Sequence, residues 1–298
     1  MVQFTAGWPT EAIEPALGCA LEGFPLLAVF QLAPQPLPMP QRFLRRLAWA
    51  RSRRQQWMAV SQHNLPYLRQ TFAMRHEEIG ILYNGIDIQP DISDEQRKEA
   101  VRRDVRTELG MPANARLLLT TSRLDPQKGH SDLLETVPMI VDKFPDVRFL
   151  WAGGAWNGDE TERQRLESEI HNHDLQEHVR LLGYRTDIER LLKASDLFVF
   201  PTRQEGGCSS SIREAMMHKL PIVSSDAGGI PEVLHDGFHA LLFPVQDKAR
   251  MFARIYEALG SPGKMRALVE RARKRIEEFS SERMVENYLE VLNKLHFS

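Results

Sequence analysis

Residues 196–237 read DLFVFPTRQEGGCSSSIREAMMHKLPIVSSDAGGIPEVLHDG, and the fold turns on how this stretch is understood. Leu197 to Phe200 is an apolar run too short for a helix, and Pro201 ends it, so it reads as a buried strand. A polar, glycine-rich loop follows from Thr202 to Ser210. Ser209 or Ser210 is placed to accept hydrogen bonds from the first free N–H groups of a helix, in which Ile212, Ala215 and Met216 recur at helical spacing. A second strand, Pro221 to Ser225, leads into the turn Ala227-Gly228-Gly229, and Pro231 suits the first turn of another short helix.

Two loop-to-helix junctions this close together suit an anion. Free N–H groups and the positive end of each helix dipole point outward, and glycine lets a phosphate approach the backbone. The carboxylates of Glu205, before the loop, and Glu214, inside the helix, can take hydroxyl donors from a polyhydroxyl ligand. Phosphate donors beside sugar acceptors suggest a nucleotide sugar. The segment resembles the donor-binding motif of the family-four retaining glycosyltransferases, enzymes of the GT-B fold (glycosyl transferases group 1). The matching letters are P-T-R-Q-E-G at 201–206, E-A-M at 214–216 and P-I-V-S-S-D-A-G-G-I-P-E-V at 221–233. Eight residues separate Glu205 from Glu214 where the family has seven, and the extra one is assigned to the loop. Lys219 stands where the family has a helix-ending glycine; a left-handed lysine there costs on the order of 1 kcal/mol.

Working outward, strand-like runs occur at Arg116–Thr121, Val147–Ala152, Val179–Leu182, Pro221–Ser225 and Ala240–Phe243, mostly separated by helical stretches. That alternation predicts parallel strands with right-handed crossovers in a doubly wound sheet, whose ligands bind beyond the C-terminal strand ends. After the first of these strands, Ser122-Arg123-Leu124-Asp125-Pro126-Gln127-Lys128-Gly129 sets an arginine and a lysine in a strand-to-helix loop, where a guanidinium fork and a compact ammonium can converge on a diphosphate. The run resembles the family's G-R-L…K-G signature, with Ser122 for glycine. Gly183-Tyr184-Arg185 follows the third strand, where the family holds the nucleobase. Tyr184 and Arg185 are therefore candidates.

Toward the N-terminus, Glu11 to Leu21 is amphipathic and Leu26 to Phe30 is strand-like. Pro34, Pro36, Pro38 and Pro40 impose an extended loop. Residues 41–58 read as a helix with Arg42, Arg45, Arg46, Arg51, Arg53 and Arg54; with Trp49 and Trp57 it fits contact with anionic lipid or an acidic acceptor, or else a solvated face over a core of Phe43, Leu44, Leu47 and Ala48. Short strands at Met58–Val60 and Ile79–Tyr83 precede Asn84-Gly85-Ile86-Asp87, which resembles the end of the family's N-terminal domain. There several strands and a glycine-rich acceptor-side loop come earlier, so the resemblance implies a truncated N-terminal domain. Gln31 falls where many relatives carry a histidine near the reacting sugar. A helix from about Asp94 to Leu109 begins the second unit, and helices at Lys264–Phe279 and Ser281–Leu295 end the chain.

Composition fits an ordinary globular protein with room for two domains. The chain has 298 residues, 42% of them hydrophobic, and a net charge of −2, which gives no reason to expect nucleic-acid binding. Two cysteines, Cys19 and Cys208, make neither a disulfide framework nor a zinc site, and a cytoplasmic setting is the default. His171 and His173, two apart on a helix, share no face for a metal. The longest apolar stretch, Phe24 to Ala33, is broken by Pro25 and Gln31 and is too short to span a bilayer.

The expected fold is α/β of GT-B type: a partial N-terminal α/β domain at 1–92, a complete C-terminal Rossmann-like doubly wound parallel sheet at 93–280, and a helix at 281–298 returning to the first domain. The resemblance implies transfer of a sugar from a nucleotide diphosphate sugar to an acceptor hydroxyl, with retention and without a bound metal or cofactor. Arg123, Lys128 and Glu205 would serve catalysis. Tyr184, Arg185, Gly206, Gly207, Cys208, Ser209, Ser210 and Glu214 would bind the donor. The acceptor would be a glycan, a lipid-linked sugar or a small molecule, with glycan biosynthesis as the setting. The alternative is a nucleotide-sugar-binding module without activity of its own, whose partner supplies the missing N-terminal region. A nicotinamide dehydrogenase lacks its G-x-G-x-x-G after the first strand, and a GT-B epimerase is a minor alternative.

Overall fold

The computed structural model describes residues 1–88, 95–155, 157–207 and 209–297. The N-terminal unit contains β1 (Val2–Ala6), α1 (Ile13–Glu22), β2 (Leu26–Phe30), α2 (Gln41–Arg51), β3 (Gln55–Ala59), α3 (Asn64–Phe72) and β4 (Gly80–Ile81). Its four strands pair in parallel in the order β1-β2-β3-β4.

The second unit continues with α4 (Glu95–Glu108), β5 (Arg116–Thr121), α5 (His130–Lys143), β6 (Val147–Ala152), α6 (Thr161–Asn172), β7 (Val179–Gly183) and α7 (Ile188–Ala194). Then come β8 (Leu197–Phe200), α8 (Ser210–Met217), β9 (Ile222–Ser225), α9 (Ile230–Val233), β10 (Leu241–Phe243), α10 (Lys248–Gly260), α11 (Pro262–Arg275) and α12 (Ser281–Phe297). Its sheet is also parallel, in the order β10-β9-β8-β5-β6-β7.

The period of two along each strand explains why both faces of this sheet are covered. Leu117 and Leu119 of β5, with Phe198 and Phe200 of β8, point into one layer against Val105, Leu191, Ile212 and Met216. Leu118, Val199, Phe149 and Trp151 point into the other, against Leu133, Val137, Leu166, Met251 and Met265. The near-continuous apolar runs seen in the sequence are what a strand buried on both sides requires.

In the N-terminal sheet, Leu26, Ala28, Phe30 and Trp57 pack on Ala16, Leu47, Leu68 and Phe72. The opposite face, Leu27, Val29, Met58, Val60 and Leu82, is covered by Val291 and Leu295 of α12, so the final helix does cross back. The crossings lie side by side: Ile86 N donates to Phe279 O at 3.0 Å and Ser281 N to Ile86 O at 2.9 Å.

Two expectations are corrected. The helix of residues 41–58 stops at Arg51, because Gln55–Ala59 is needed as β3 beside β2. Trp57 is consequently a core residue, 1% exposed, with its ring 5.1 Å from that of Phe72, and it cannot touch lipid. Arg51 turns inward, with its guanidinium 5.5 Å from the Trp57 ring and its Nε 3.4 Å from Glu78 Oε1. The strand β1 was not expected from the sequence; Val2 and Phe4 alternate with polar residues, and β1 pairs with β2 alone.

Candidate active site

The order of the second sheet reverses between β5 and β8: β6 and β7 lie to one side of β5, β9 and β10 to the far side of β8. In open parallel sheets that reversal leaves a crevice beyond the C-terminal strand ends, since the following loops diverge there. The loop after β5 carries Arg123 and Lys128, and the loop after β8 carries Glu205, Gly206 and Gly207. The two loops meet: Lys128 Nζ donates to Glu205 Oε1 in an ion pair whose side chains are 14% and 12% exposed. Arg123 Nη2 lies 3.8 Å from Asp125 Oδ2, with its side chain 41% exposed.

Backbone contacts fix this crevice. Arg203 N donates to Gln127 O at 2.7 Å, and the Arg203 guanidinium grips Asp132 of α5 with two bonds of 2.7 and 2.8 Å. Thr202 Oγ1 reaches Gln127 O at 3.2 Å and Glu205 Oε1 at 3.4 Å. A Cβ on Gly129, whose φ is +72°, would lie 2.0 Å from Pro201 O, and one on Gly228, whose φ is +56°, 1.7 Å from Glu205 O. Only glycine fits at either place.

The predicted donor residues divide into groups. Glu214 on α8 is half-buried; burial raises its carboxyl above the usual range, and no described residue donates a hydrogen bond to it. Tyr184, beyond β7, is 80% exposed beside Gly154. The Arg185 guanidinium instead lies between Asp187 and Glu108, each at 2.7 Å, which holds it firmly charged. Ser209 occupies the N-cap position of α8, but its side chain makes no capping bond, contrary to the expected capping role. Ser211 Oγ donates to Thr121 O at 2.8 Å, tying α8 to the end of β5. Cys208 lies outside the described residues. Lys219 adopts the expected left-handed conformation, with φ 54°.

The N-terminal unit closes the crevice from the other side. A Cβ on Gly206 would come 1.9 Å from Gln31 O, and Ser61 Oγ donates to Gly206 O at 2.5 Å. Asn84 Nδ2 donates to Gln31 Oε1 at 2.8 Å. Arg213 of α8 donates to the Asn84 and Gly85 carbonyls at 2.6 and 2.8 Å. Ser61 and Arg213 escaped the sequence reading, since their partners are backbone atoms far away in the chain. So did His130, fully buried with Nε2 3.4 Å from Ser122 Oγ; burial, with Lys128 nearby, lowers its pKa to about 3 and keeps the imidazole neutral.

Two parallel-stranded units facing each other across a crevice at the switch point define a GT-B-like glycosyltransferase fold. Residues 101–275 match the family model Glycosyl transferases group 1, and the chain belongs to that family. It is 30% identical over 243 residues to spore coat protein SA of Bacillus subtilis, a match covering 76% of this chain and 63% of that one. It is 31% identical over 173 residues to a phosphatidyl-myo-inositol mannosyltransferase of Mycolicibacterium smegmatis, covering 57% and 43%. The chain thus spans about half to two thirds of the length of these relatives. Anabaena HepE, solved in complex with UDP, superposes with a TM-score of 0.82 at 23% identity, covering 98% of this chain and 78% of that one.

Proposed function

We propose that the chain transfers a sugar from a nucleoside diphosphate sugar to an acceptor hydroxyl, with retention at the anomeric carbon and without a bound metal ion. The observation that carries this reading is the meeting of Lys128 and Glu205 at the β5/β8 switch point, with Arg123 in the loop after β5 and the half-buried Glu214 carboxyl on α8, which follows β8. The anomeric C–O bond to the β-phosphate breaks and the bond to the acceptor oxygen forms. The departing diphosphate gains negative charge, which Lys128, Arg123 and the start of α8 stabilise in place of a divalent cation. Front-side attack keeps the anomeric configuration, and the acceptor proton passes to the departing phosphate oxygen. Glu214 accepts from the ribose hydroxyls. Glu205 accepts from the sugar and fixes the direction of the anomeric carbon, while Gly206 and Gly207 admit the phosphates to the backbone. Tyr184 offers an exposed face to the base. HepE, which shares this fold and was solved in complex with UDP, supports a nucleotide ligand.

For the acceptor we favour a lipid-linked sugar at an anionic membrane surface. Arg42, Arg45, Arg46 and Trp49 of α2 fall within an arc of about 100° at 100° per residue, and all four are exposed. Leu21 and Phe24, 74% and 55% exposed, stand at the end of α1, which packs on α2. No described helix is long and apolar enough to cross a membrane.

The test is turnover with UDP-, GDP- and ADP-sugars in excess EDTA, with the product's anomeric configuration read by NMR. Retention in EDTA is expected; an inverted product, or activity that EDTA abolishes, contradicts the reading.

A further inference from the structure

The N-cap residue of α3, His63, makes no side-chain capping bond, and the first turn carries no acidic residue; locally only Ser61 Oγ accepts, from Asn64 N. Its start is capped from the other unit. Glu232 of α9 accepts from Gln62 N at 2.9 Å and from His63 N at 2.8 Å, and its Oε2 also accepts from the Tyr83 hydroxyl at 2.9 Å. A carboxylate at a helix N-terminus is favoured by the free N–H groups and the helix dipole. Here that preference joins the two units. Arg275 Nη2 holds the Glu232 carbonyl at 3.0 Å from behind, fixing the residue's backbone to α11.

The contact is connected to the proposed donor loop by neighbouring residues on both sides. On the N-terminal side, Ser61 directly precedes Gln62; its hydroxyl donates to Gly206 O and accepts from Asn64 N at 3.2 Å. On the other side the turn leading to α9 lies against the loop: a Cβ on Gly229 would be 2.8 Å from Gly207 Cα and 3.0 Å from Ser61 Cβ. The Glu232 cap and the Ser61–Gly206 bond thus sit on adjoining residues of one seam.

We infer that Glu232 is a positioning residue that latches the two units closed over the donor loop by capping α3 across the crevice. It touches neither donor nor acceptor in this arrangement; it sets the fraction of molecules in which Ser61 and Gln31 stand against Gly206. The inference rests on the reading above only for its catalytic consequence.

The experiment compares the full chain with Glu232→Gln, Glu232→Asp and Tyr83→Phe. Amide exchange without nucleotide tests the latch directly, since Gln62 and His63 amides are protected only while Glu232 caps them. Glu232→Gln is expected to speed exchange at these two amides by about tenfold or more, the scale of one charge-assisted hydrogen bond, with β5 and β6 amides unchanged. In turnover, kcat falls by about tenfold while nucleoside diphosphate Kd stays within about twofold, because the proposed nucleotide contacts lie on the second unit. Glu232→Asp, which keeps the charge, recovers part of the kcat. Adding Tyr83→Phe to Glu232→Gln costs less than Tyr83→Phe alone, since the two share one bond. Unchanged exchange at Gln62 and His63, an unchanged kcat, or fully additive losses would each overturn the latch. If the unaltered chain binds none of UDP, GDP or ADP, the donor-site reading fails, and the exchange comparison alone decides the latch.

Discussion

A carboxylate that accepts ribose hydroxyls must be ionised to do it well, and burial makes Glu214 reluctant to ionise. Nucleotide affinity is therefore expected to weaken as pH falls from neutrality through the raised pKa of this carboxyl. Calorimetry across that range should show Glu214→Gln binding more weakly, with a flatter profile. An unchanged profile would remove Glu214 from the site. For stability the sign is opposite. The folded chain holds this proton more readily than the unfolded chain, so Glu214's contribution is fully present below its unfolded pKa and is lost as pH rises through the folded one. The sequence made Glu214 a candidate because Glu214-Ala215-Met216 matches the family's E-A-M letters. It could not show that Arg185 is claimed by Asp187 and Glu108, since Glu108 is brought there by α4 packing against α7.

Among elements, the loops meet so closely that two glycines should fail in different ways. Gly129→Ala would place a methyl group against Pro201 O at a positive φ, both within the second unit. A loss of roughly 2–4 kcal/mol is expected from strain and collision together, read by urea unfolding. Gly206→Ala collides with Gln31 O in the other unit. It can be relieved by parting the units, so it should lower turnover by about tenfold or more while costing less than about 1 kcal/mol in stability. Equal destabilisation by both would contradict the seam. The exposed arc of α2 gives an element-level prediction of its own. Replacing Arg45 and Arg46 by glutamate should abolish co-sedimentation with vesicles containing anionic phospholipid and leave nucleotide binding intact; binding that persists, or that is equal on neutral vesicles, counts against the lipid surface. Strands buried on both faces were legible as apolar runs. The end of α2 was not, because Arg53 and Arg54 continue the arginine-rich pattern of the helix and only the pairing of Gln55–Ala59 with β2 ends it.

For the whole molecule, the alternation of strands and helices was enough to give the parallel doubly wound sheet and its switch-point crevice, because right-handed crossovers leave few arrangements. The return of α12 was legible too, as an amphipathic helix that needs a sheet to cover. The contacts that hold the units together were not. Ser61 to Gly206, Arg213 to Asn84 and Glu232 to α3 join residues more than a hundred positions apart through backbone atoms, and backbone atoms leave no mark on the amino-acid letters. β1 was missed because only Ala6 of its five residues is buried. The central claim is that Arg123, Lys128 and Glu214 form one nucleotide site at the switch point. It is tested most directly by calorimetric titration of the chain with UDP, GDP and ADP, repeated with Arg123→Ala, Lys128→Met and Glu214→Ala. One nucleotide should bind with micromolar affinity, and each substitution should weaken it by about tenfold or more. No binding by any of the three nucleotides, or binding indifferent to all three substitutions, would contradict the site.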